Sequence, residues 1–142
     1  MLNKNIFIYV LLLSLFCSFI SSKEILIISK VNDDIITNID IENEYNYLIS
    51  LNKQFQSIDK EKILGFAKES LIKEVIKKNE ILKYYELNKK NEMIDVMIEN
   101  IYRNLEINSK DDFINYLGER NLDLDDIYKK IEIEAVWNQM IY

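Results

Sequence analysis

The side chains best suited to chemistry in this sequence are two pairs of adjacent acids, Asp33 with Asp34 and Asp111 with Asp112. Neighbouring carboxylates can divide the roles of general acid and general base when their surroundings separate their pKa values. The first pair, however, lies in a predicted turn and the second in a predicted first helical turn, where acids are ordinary. We therefore interpret both pairs as structural and expect no catalytic site.

The composition excludes most other catalytic and metal chemistry. Among 142 residues there is no His, one Cys and two Gly. The chain therefore lacks an imidazole base, a His-containing metal site and a glycine-rich phosphate loop. Its formal net charge is −6, and its lysines are interleaved with Asp and Glu, a pattern that disfavours nucleic-acid binding. We expect a protein that is not an enzyme and needs no metal or other cofactor.

The N-terminus has the pattern of an export signal. Lys4 is followed by an apolar run from Ile6 to Phe16, and Ser22 precedes the charged Lys23. A basic start, an apolar stretch of about 7–15 residues and small residues at its end are typical of signal peptides. Cleavage after Ser22 removes one Lys and no acid, so the formal charge changes from −6 to −7 and the mature domain is residues 23–142.

Two other interpretations of residues 1–22 stay open. Ile20 stands at the third position before the cut, where a small residue is preferred, and this favours an uncleaved membrane anchor. Lipid attachment through Cys17 is less favoured because the bulky Leu15 and Phe16 directly precede it. A cleaved signal also removes the one Cys, so the exported domain is expected to fold without a disulfide.

The mature part has the pattern of one mainly α-helical domain with a small N-terminal β-hairpin. A β-branched run from Ile25 to Val31 predicts a strand, and the Asn and Asp residues at 32–34 favour a turn after it. Ile35 and Ile36 predict the short return strand. Because an isolated two-stranded ribbon is only marginally stable, we expect helices to cover one of its faces.

Capping residues and apolar spacing predict about five helices after the hairpin. Thr37 with Asp40 begins the first, which runs to about Leu51, and residues 52–58 are predicted to form a loop. A long central helix is predicted from a cap at Asp59 to about Tyr85. Its predicted buried column is Leu64, Ala67, Leu71, Val75 and Leu82, and a wider apolar stripe is formed by Ile63, Phe66, Ile72 and Ile76. A third helix is predicted over Ile94–Leu105. A fourth begins after a cap at Ser109 and ends near Asn121, a left-handed terminator, and a fifth begins after a cap at Asp123.

Three stretches of the mature chain carry recognisable motifs. Residues 31–41 read Val-Asn-Asp-Asp-Ile-Ile-Thr-Asn-Ile-Asp-Ile, and residues 70–75 read Ser-Leu-Ile-Lys-Glu-Val. The first resembles the strand, turn and helix start that follow the signal peptide in SurA-type periplasmic chaperones, and the second resembles the L-I-x-[ED] stretch of that family. Residues 109–140 resemble its closing pair of helices. The resemblance covers about the whole mature chain.

The resemblance implies a mostly helical, periplasmic chaperone domain that binds unfolded outer-membrane proteins and prevents their aggregation. Members of the family usually continue into parvulin-type prolyl isomerase domains and then return a C-terminal segment to the first domain. Such isomerase sites rely on His and Gly-rich loops, so no isomerase activity is expected of this sequence. The sequence stops at Tyr142 within helical periodicity, so we expect as a partner either the C-terminal segment of a longer parent chain or a second copy in a homodimer.

A chaperone of this kind needs adaptable apolar surface rather than a polar active site. The candidate client-binding residues are Phe55, Met93, Met97, Tyr102, Tyr116 and Met140. A Met or Tyr at helical spacing is more often part of a core, so core packing is the alternative for each of them. The alternative function is a membrane-anchored helical docking or structural domain without holdase activity, which requires residues 1–22 to remain attached.

Overall fold

A computed structural model of the chain describes residues 24–87 and 91–141. In these ranges a two-stranded antiparallel sheet is followed by five α-helices. The elements are β1 Ile27–Val31, β2 Asp34–Thr37, α1 Asn38–Leu51, a 3-10 helix Lys53–Ser57, α2 Lys60–Ile81, α3 Glu92–Asn104, α4 Lys110–Gly118 and α5 Leu124–Ile141. The predicted fold, mainly α with a small N-terminal hairpin, is confirmed. The predicted signal peptide, residues 1–22, lies outside the described residues.

The hairpin forms where it was predicted because its turn residues suit a tight reversal. Val31 pairs with Asp34, and between them Asn32 adopts a positive φ of 55°, which Asn tolerates better than most residues. Successive side chains of β2 then point to opposite faces: Ile36 is 3% exposed, whereas Ile35 is 51% exposed. The inner face packs on α1 and α2, so the helices cover one side of the ribbon.

The predicted N-caps form as hydrogen bonds. The Thr37 hydroxyl accepts from the N–H of Asp40 at 3.2 Å, and the Asp40 carboxylate accepts from the N–H of Thr37 at 2.7 Å, which is a complete capping box. Ser109 caps α4 by accepting from the N–H of Asp112 at 3.1 Å. After α4 the chain reverses at Asn121, which has a φ of 56° and is the predicted left-handed residue.

Two predicted element ends are wrong by a few residues. β1 begins at Ile27 rather than Ile25, and α2 ends at Ile81 rather than Tyr85. The backbone N–H groups of Tyr84 and Tyr85 each donate to the Ile81 carbonyl at 2.9 Å, so the last turn of α2 tightens and the helix ends there. Ile25, Tyr84 and Tyr85 are all more than half exposed. Because no neighbouring surface buries these side chains, the apolar periodicity of the sequence does not extend the strand or the helix to them.

The prediction of a loop after α1 is also wrong, because this segment is the 3-10 helix Lys53–Ser57. The Asn52 side chain caps it by accepting from the N–H of Gln54 at 2.9 Å. The N–H of Ile58 closes the turn on the Phe55 carbonyl at 3.0 Å. A single 3-10 turn is too short for an apolar repeat, so the sequence carries no periodic signal for it.

α2 occupies the centre of the domain, as predicted, since it contacts α1, α5 and both strands. Its buried positions are Ile63, Ala67 and Ile81. Of the predicted column only Ala67 is buried, while Leu64, Leu71 and Val75 are half-buried and Leu82 is 51% exposed. Ile63, predicted in the wider stripe, is buried, and at the other end Ile81 is buried in place of the adjacent Leu82. Apolar residues occur on almost every side of this helix, so spacing alone does not select the buried face.

The main hydrophobic cluster lies among the last three helices. Its buried members are Ile94 and Ile98 of α3, Phe113 and Leu117 of α4, and Ile127, Ile131 and Ala135 of α5. The i, i+4 spacing within each helix places every pair on one face. The α1 residues Tyr47 and Leu51 pack against this cluster from the other half of the domain.

We predict that Phe113→Ala lowers the free energy of unfolding by about 3–5 kcal/mol, because it removes a fully buried ring and leaves a cavity in the main cluster. The matched control is the neighbouring Ile114→Ala, whose side chain is 43% exposed and should cost less than about 1 kcal/mol. Urea unfolding followed by circular dichroism measures both. Equal losses for the two variants would show that the buried face of α4 is assigned wrongly.

Candidate functional site

An open groove lies where α1, the 3-10 helix and the end of α4 meet, with a volume of about 500 Å³. Its lining residues are Tyr45, Asn46, Ile49, Ser50, Phe55, Gln56, Ile58, Ile63, Tyr116, Arg120 and Asn121. We call it the aromatic groove. Two of the six candidate client-binding residues, Phe55 and Tyr116, line it although they are distant in the sequence. Its volume lies within the range of about 300–1,000 Å³ that is usual for ligand sites.

One wall of the groove is built by the 3-10 helix. This short turn carries Phe55, whose ring is half-buried. The ring meets Phe66 of α2 edge-on, with ring centroids 6.1 Å apart and an interplanar angle of 72°. Edge-to-face contact of this kind is favourable for aromatic pairs. Phe66 remains 47% exposed, so the two rings form an apolar corner that solvent reaches.

The opposite wall is built by α4. The Tyr116 hydroxyl donates to the Ser50 carbonyl at 2.7 Å, which ties α4 to α1. Its ring stacks on the buried Phe113 with centroids 6.4 Å apart. On its other side the Arg120 guanidinium lies 3.7 Å from the ring centroid, and Arg120 Nη1 donates to the Tyr116 carbonyl at 2.9 Å. Tyr116 is therefore fixed in position by its neighbours.

A second polar feature is a buried ionic cluster that joins three helices. Lys130 Nζ of α5 lies 2.7 Å from Glu44 Oε2 of α1 and also contacts the Glu74 carboxylate of α2. The Glu44 side chain is 1% exposed, and its Oε1 accepts from the Ser70 hydroxyl at 2.7 Å. The Lys130 ammonium also lies 5.2 Å from the centroid of the Tyr47 ring. We call these five residues the ionic cluster.

The electrostatics of the ionic cluster keep Lys130 and Tyr47 protonated near neutral pH. Burial by itself lowers the pKa of Lys130, but the carboxylates of Glu44 and Glu74 outweigh burial and hold that pKa above its ordinary value. Burial raises the pKa of Tyr47 to about 12, more than the nearby Lys130 lowers it. An ammonium and a phenol that keep their protons near neutral pH serve neither as bases nor as nucleophiles.

A cleft of about 230 Å³ opens beside the ionic cluster. Besides cluster residues, its lining includes acids and lysines from α1 and α5, among them Asp40, Asp126 and Lys129. Asp40 is held in the α1 capping box, and Asp126 pairs with Lys129 at 2.9 Å. In residues 24–87 and 91–141, no group of three His, Cys, Asp or Glu side chains is placed to hold a metal ion. No helix in the same ranges is long and apolar enough to cross a membrane.

The other four candidate client-binding residues lie outside the aromatic groove. Met93 and Met97 share the outer face of α3, where they are 42% and 36% exposed. With Val96, which is 56% exposed, they form a surface that we call the α3 stripe. Tyr102 is half-buried, with its ring 5.7 Å from that of Phe113. Met140 is half-buried near the end of α5.

Sequence reasoning missed Arg120 and the ionic cluster. Arg120 lies four residues after Tyr116, a spacing that brings side chains together on a helix and was available as a signal. The ionic cluster had no such signal, because its residues lie on three helices that only tertiary packing brings together. Lys130 and the two glutamates looked like ordinary surface charges in a chain with 24 acidic residues.

No protein-family model, curated protein or solved structure matches the chain. The functional argument therefore rests on the residues and on their geometry. The resemblance to SurA-type chaperones stays a hypothesis that rests on the motifs of residues 31–41, 70–75 and 109–140.

We predict that Lys130→Met lowers the free energy of unfolding by about 3 kcal/mol, because it leaves the buried Glu44 carboxylate without a compensating charge. The matched control is Lys129→Met, which removes a neighbouring lysine from an exposed pair with Asp126 and should cost less than about 1 kcal/mol. Chemical denaturation at pH 7 compares them. Similar losses for both variants would contradict the structural role of the ionic cluster.

We also predict a loss of stability in alkali that depends on Tyr47. Its folded pKa of about 12 exceeds the unfolded value of about 10, so its contribution is complete below pH 10 and is lost as the pH rises toward 12. The raised pKa of Lys130 acts in the same direction. Tyr47→Phe should flatten the decline of the unfolding free energy between pH 9 and 11.5 by about 2 kcal/mol. Tyr85→Phe, at a 52% exposed position, should keep the parental slope, and an equal effect of both changes would refute the assignment.

Proposed function

We propose that this protein is a periplasmic chaperone domain, exported by a signal peptide, that binds unfolded outer-membrane protein segments and prevents their aggregation. The observation that carries the proposal is the aromatic groove, an open, prebuilt channel with Phe55 on one wall and Tyr116 on the other. Two aromatic walls with amide and hydroxyl groups between them suit an extended peptide of mixed sequence. The proposal includes no catalytic step.

The exposure of the apolar side chains supports weak, reversible binding. Full burial of a Met or Phe side chain gains about 1.5–3 kcal/mol, so a half-exposed one still offers roughly half of that. Two or three such contacts, less the entropy lost on association, give only weak binding at any one surface. The aromatic groove and the α3 stripe together allow one long client to be held at two places, which strengthens retention without a tight single site.

The resemblance to SurA-type chaperones supports the same proposal from a different direction. Its most specific motif, residues 31–41, falls on the hairpin turn, β2 and the capping box at Thr37 and Asp40. The motif residues therefore have local structural tasks that a similar fold would require. The export pattern at residues 1–22 agrees with a periplasmic location.

A membrane-anchored docking domain is the second candidate. The observation that favours it is the outer surface of the hairpin and the segment before it, where Ile25, Ile27 and Ile35 are 66%, 67% and 51% exposed directly after the predicted leader. Intact-mass measurement of the exported protein separates the two candidates. A mass without residues 1–22 excludes the anchored form, whereas retention of the leader supports it.

We predict that the exported protein suppresses aggregation of a denatured outer-membrane β-barrel protein on dilution, at a near-stoichiometric ratio. Light scattering is the measurement. Replacing Phe55 and Met97 together by Ser should weaken suppression several-fold, because it removes apolar contact from the aromatic groove and from the α3 stripe. A protease-coupled proline peptide assay on the same protein should show no acceleration of isomerisation.

The matched control is Tyr84→Ser with Tyr85→Ser, which removes two exposed aromatic side chains that line neither surface. This control should suppress scattering as the parent does. Scattering that is unchanged by several-fold excess of the parent protein would remove the chaperone proposal.

A further inference from the structure

Arg120 is the one charged side chain among the lining residues of the aromatic groove. The sequence has only one other arginine, Arg103, which lies on α3 and pairs with Glu99. A cation in this place stands out because the chain has a net charge of −6. The groove thus combines aromatic side chains with the Arg120 guanidinium, and the Lys60 ammonium lies nearby, 5.3 Å from the centroid of the Tyr45 ring.

The Arg120 guanidinium is held in position by contacts that leave some of its hydrogen-bond donors free. It stacks 3.7 Å from the Tyr116 ring centroid, and its Nη1 donates to the Tyr116 carbonyl at 2.9 Å. The Glu119 carboxylate approaches the same Nη1 only at 3.4 Å and is 76% exposed, which makes it a weak, solvated partner. Within residues 24–87 and 91–141 the polar contacts of Arg120 all involve Nη1, so its Nε and Nη2 donors can bind another acceptor, and the side chain is 38% exposed.

We propose that the aromatic groove selects client segments in which a carboxylate lies next to an aromatic or aliphatic residue, and that Arg120 binds that carboxylate. This inference rests on the proposed function and adds the substrate class. A planar guanidinium with two free donors matches the geometry of a carboxylate, and stacking on Tyr116 limits the freedom that it loses on binding. The neighbouring apolar residue of the client packs between the walls that carry Phe55 and Tyr116.

Charge complementarity in this groove acts only at short range. The net charge of −6 repels any anionic peptide at a distance, and salt screens that repulsion over about 8–10 Å. Selection therefore depends on direct contact with Arg120 and not on steering. For this reason the informative comparison is between peptides that differ in one group at a fixed ionic strength.

The test is calorimetric titration of the exported protein with three hexapeptides that contain two Phe residues. The first has blocked ends and one internal Glu, the second replaces that Glu by Gln, and the third is the Gln peptide with a free C-terminal carboxylate. We expect the Glu peptide to bind about tenfold more tightly than the blocked Gln peptide. Tight binding of the third peptide as well shows that a chain-terminal carboxylate is accepted, and weak binding shows that the side-chain carboxylate is preferred.

Arg120→Met should abolish the difference between the Glu and Gln peptides while leaving the affinity for the Gln peptide within about twofold. Arg120→Lys keeps the charge but loses the planar fork, so it should retain only part of the preference. Arg103→Met is the matched control and should keep the full preference. If Arg120→Met fails to fold, the Lys variant and the peptide comparison on the parent protein still decide the question.

Equal affinity of the parent protein for the Glu peptide, the blocked Gln peptide and the free-carboxylate peptide overturns the inference. So does a preference that persists in Arg120→Met. Suppression of aggregation without any carboxylate preference overturns this inference alone and leaves the chaperone proposal standing. A carboxylate preference without suppression of aggregation has the reverse meaning, because it establishes the site and removes the chaperone role.

Discussion

The contact on which the rest of this structure depends is the one that Lys130 makes with Glu44 and Glu74, because it joins α5 to α1 and α2 at a single buried point. Two carboxylates facing one ammonium give little net stability over an apolar packing of the same volume, since all three groups lose hydration. Removing one partner is strongly destabilising, however, because the remaining charge is then buried without a counter-charge. The cluster therefore acts mainly by excluding other relative placements of the three helices. A rotation of α5 that carried Lys130 away from Glu44 would bury an uncompensated carboxylate.

The position of the aromatic groove follows from that constraint. One half of the domain is the hairpin with α1 and α2, and the other half is the apolar cluster of α3, α4 and α5. The groove lies at their junction, with Phe55 from the first half and Tyr116 from the second. Besides the ionic cluster, the hydrogen bond from the Tyr116 hydroxyl to the Ser50 carbonyl spans the same junction. The groove at the seam between the two packed halves is thus fixed by the ionic cluster and by the Tyr116–Ser50 hydrogen bond, whose two residues both line it.

How far the sequence predicts this structure depends on the range of the interactions involved. The Asn32 turn, the capping box of Thr37 and Asp40 and the Ser109 cap depend on residues within a few positions, and all were predictable. The buried face of α2 was predicted only in part, at Ile63 and Ala67, because that helix is apolar on nearly all sides and its neighbours decide which side is covered. The meeting of Phe55 with Tyr116, and of Lys130 with Glu44, requires the completed packing of distant segments. Local patterns contain no information on such pairs.

The distribution of exposed apolar residues also bears on the proposed binding of unfolded chains. In the described ranges these residues lie on the hairpin and the segment before it, on α2 and directly after it, on the α3 stripe, and singly at Ile58, Ile114 and Ile141. The largest group lies at the hairpin, where Ile25, Leu26, Ile27, Ile28 and Ile35 are 40–67% exposed, so a second copy would bury most apolar surface there. The net charge of −6 adds repulsion between copies, and this opposes the pairing that a free strand edge would otherwise favour. An unfolded client differs from a second copy in being flexible, since it can reach several patches at once and add their weak contributions. Dispersed apolar surface on an acidic domain is therefore consistent with the proposed binding of extended chains.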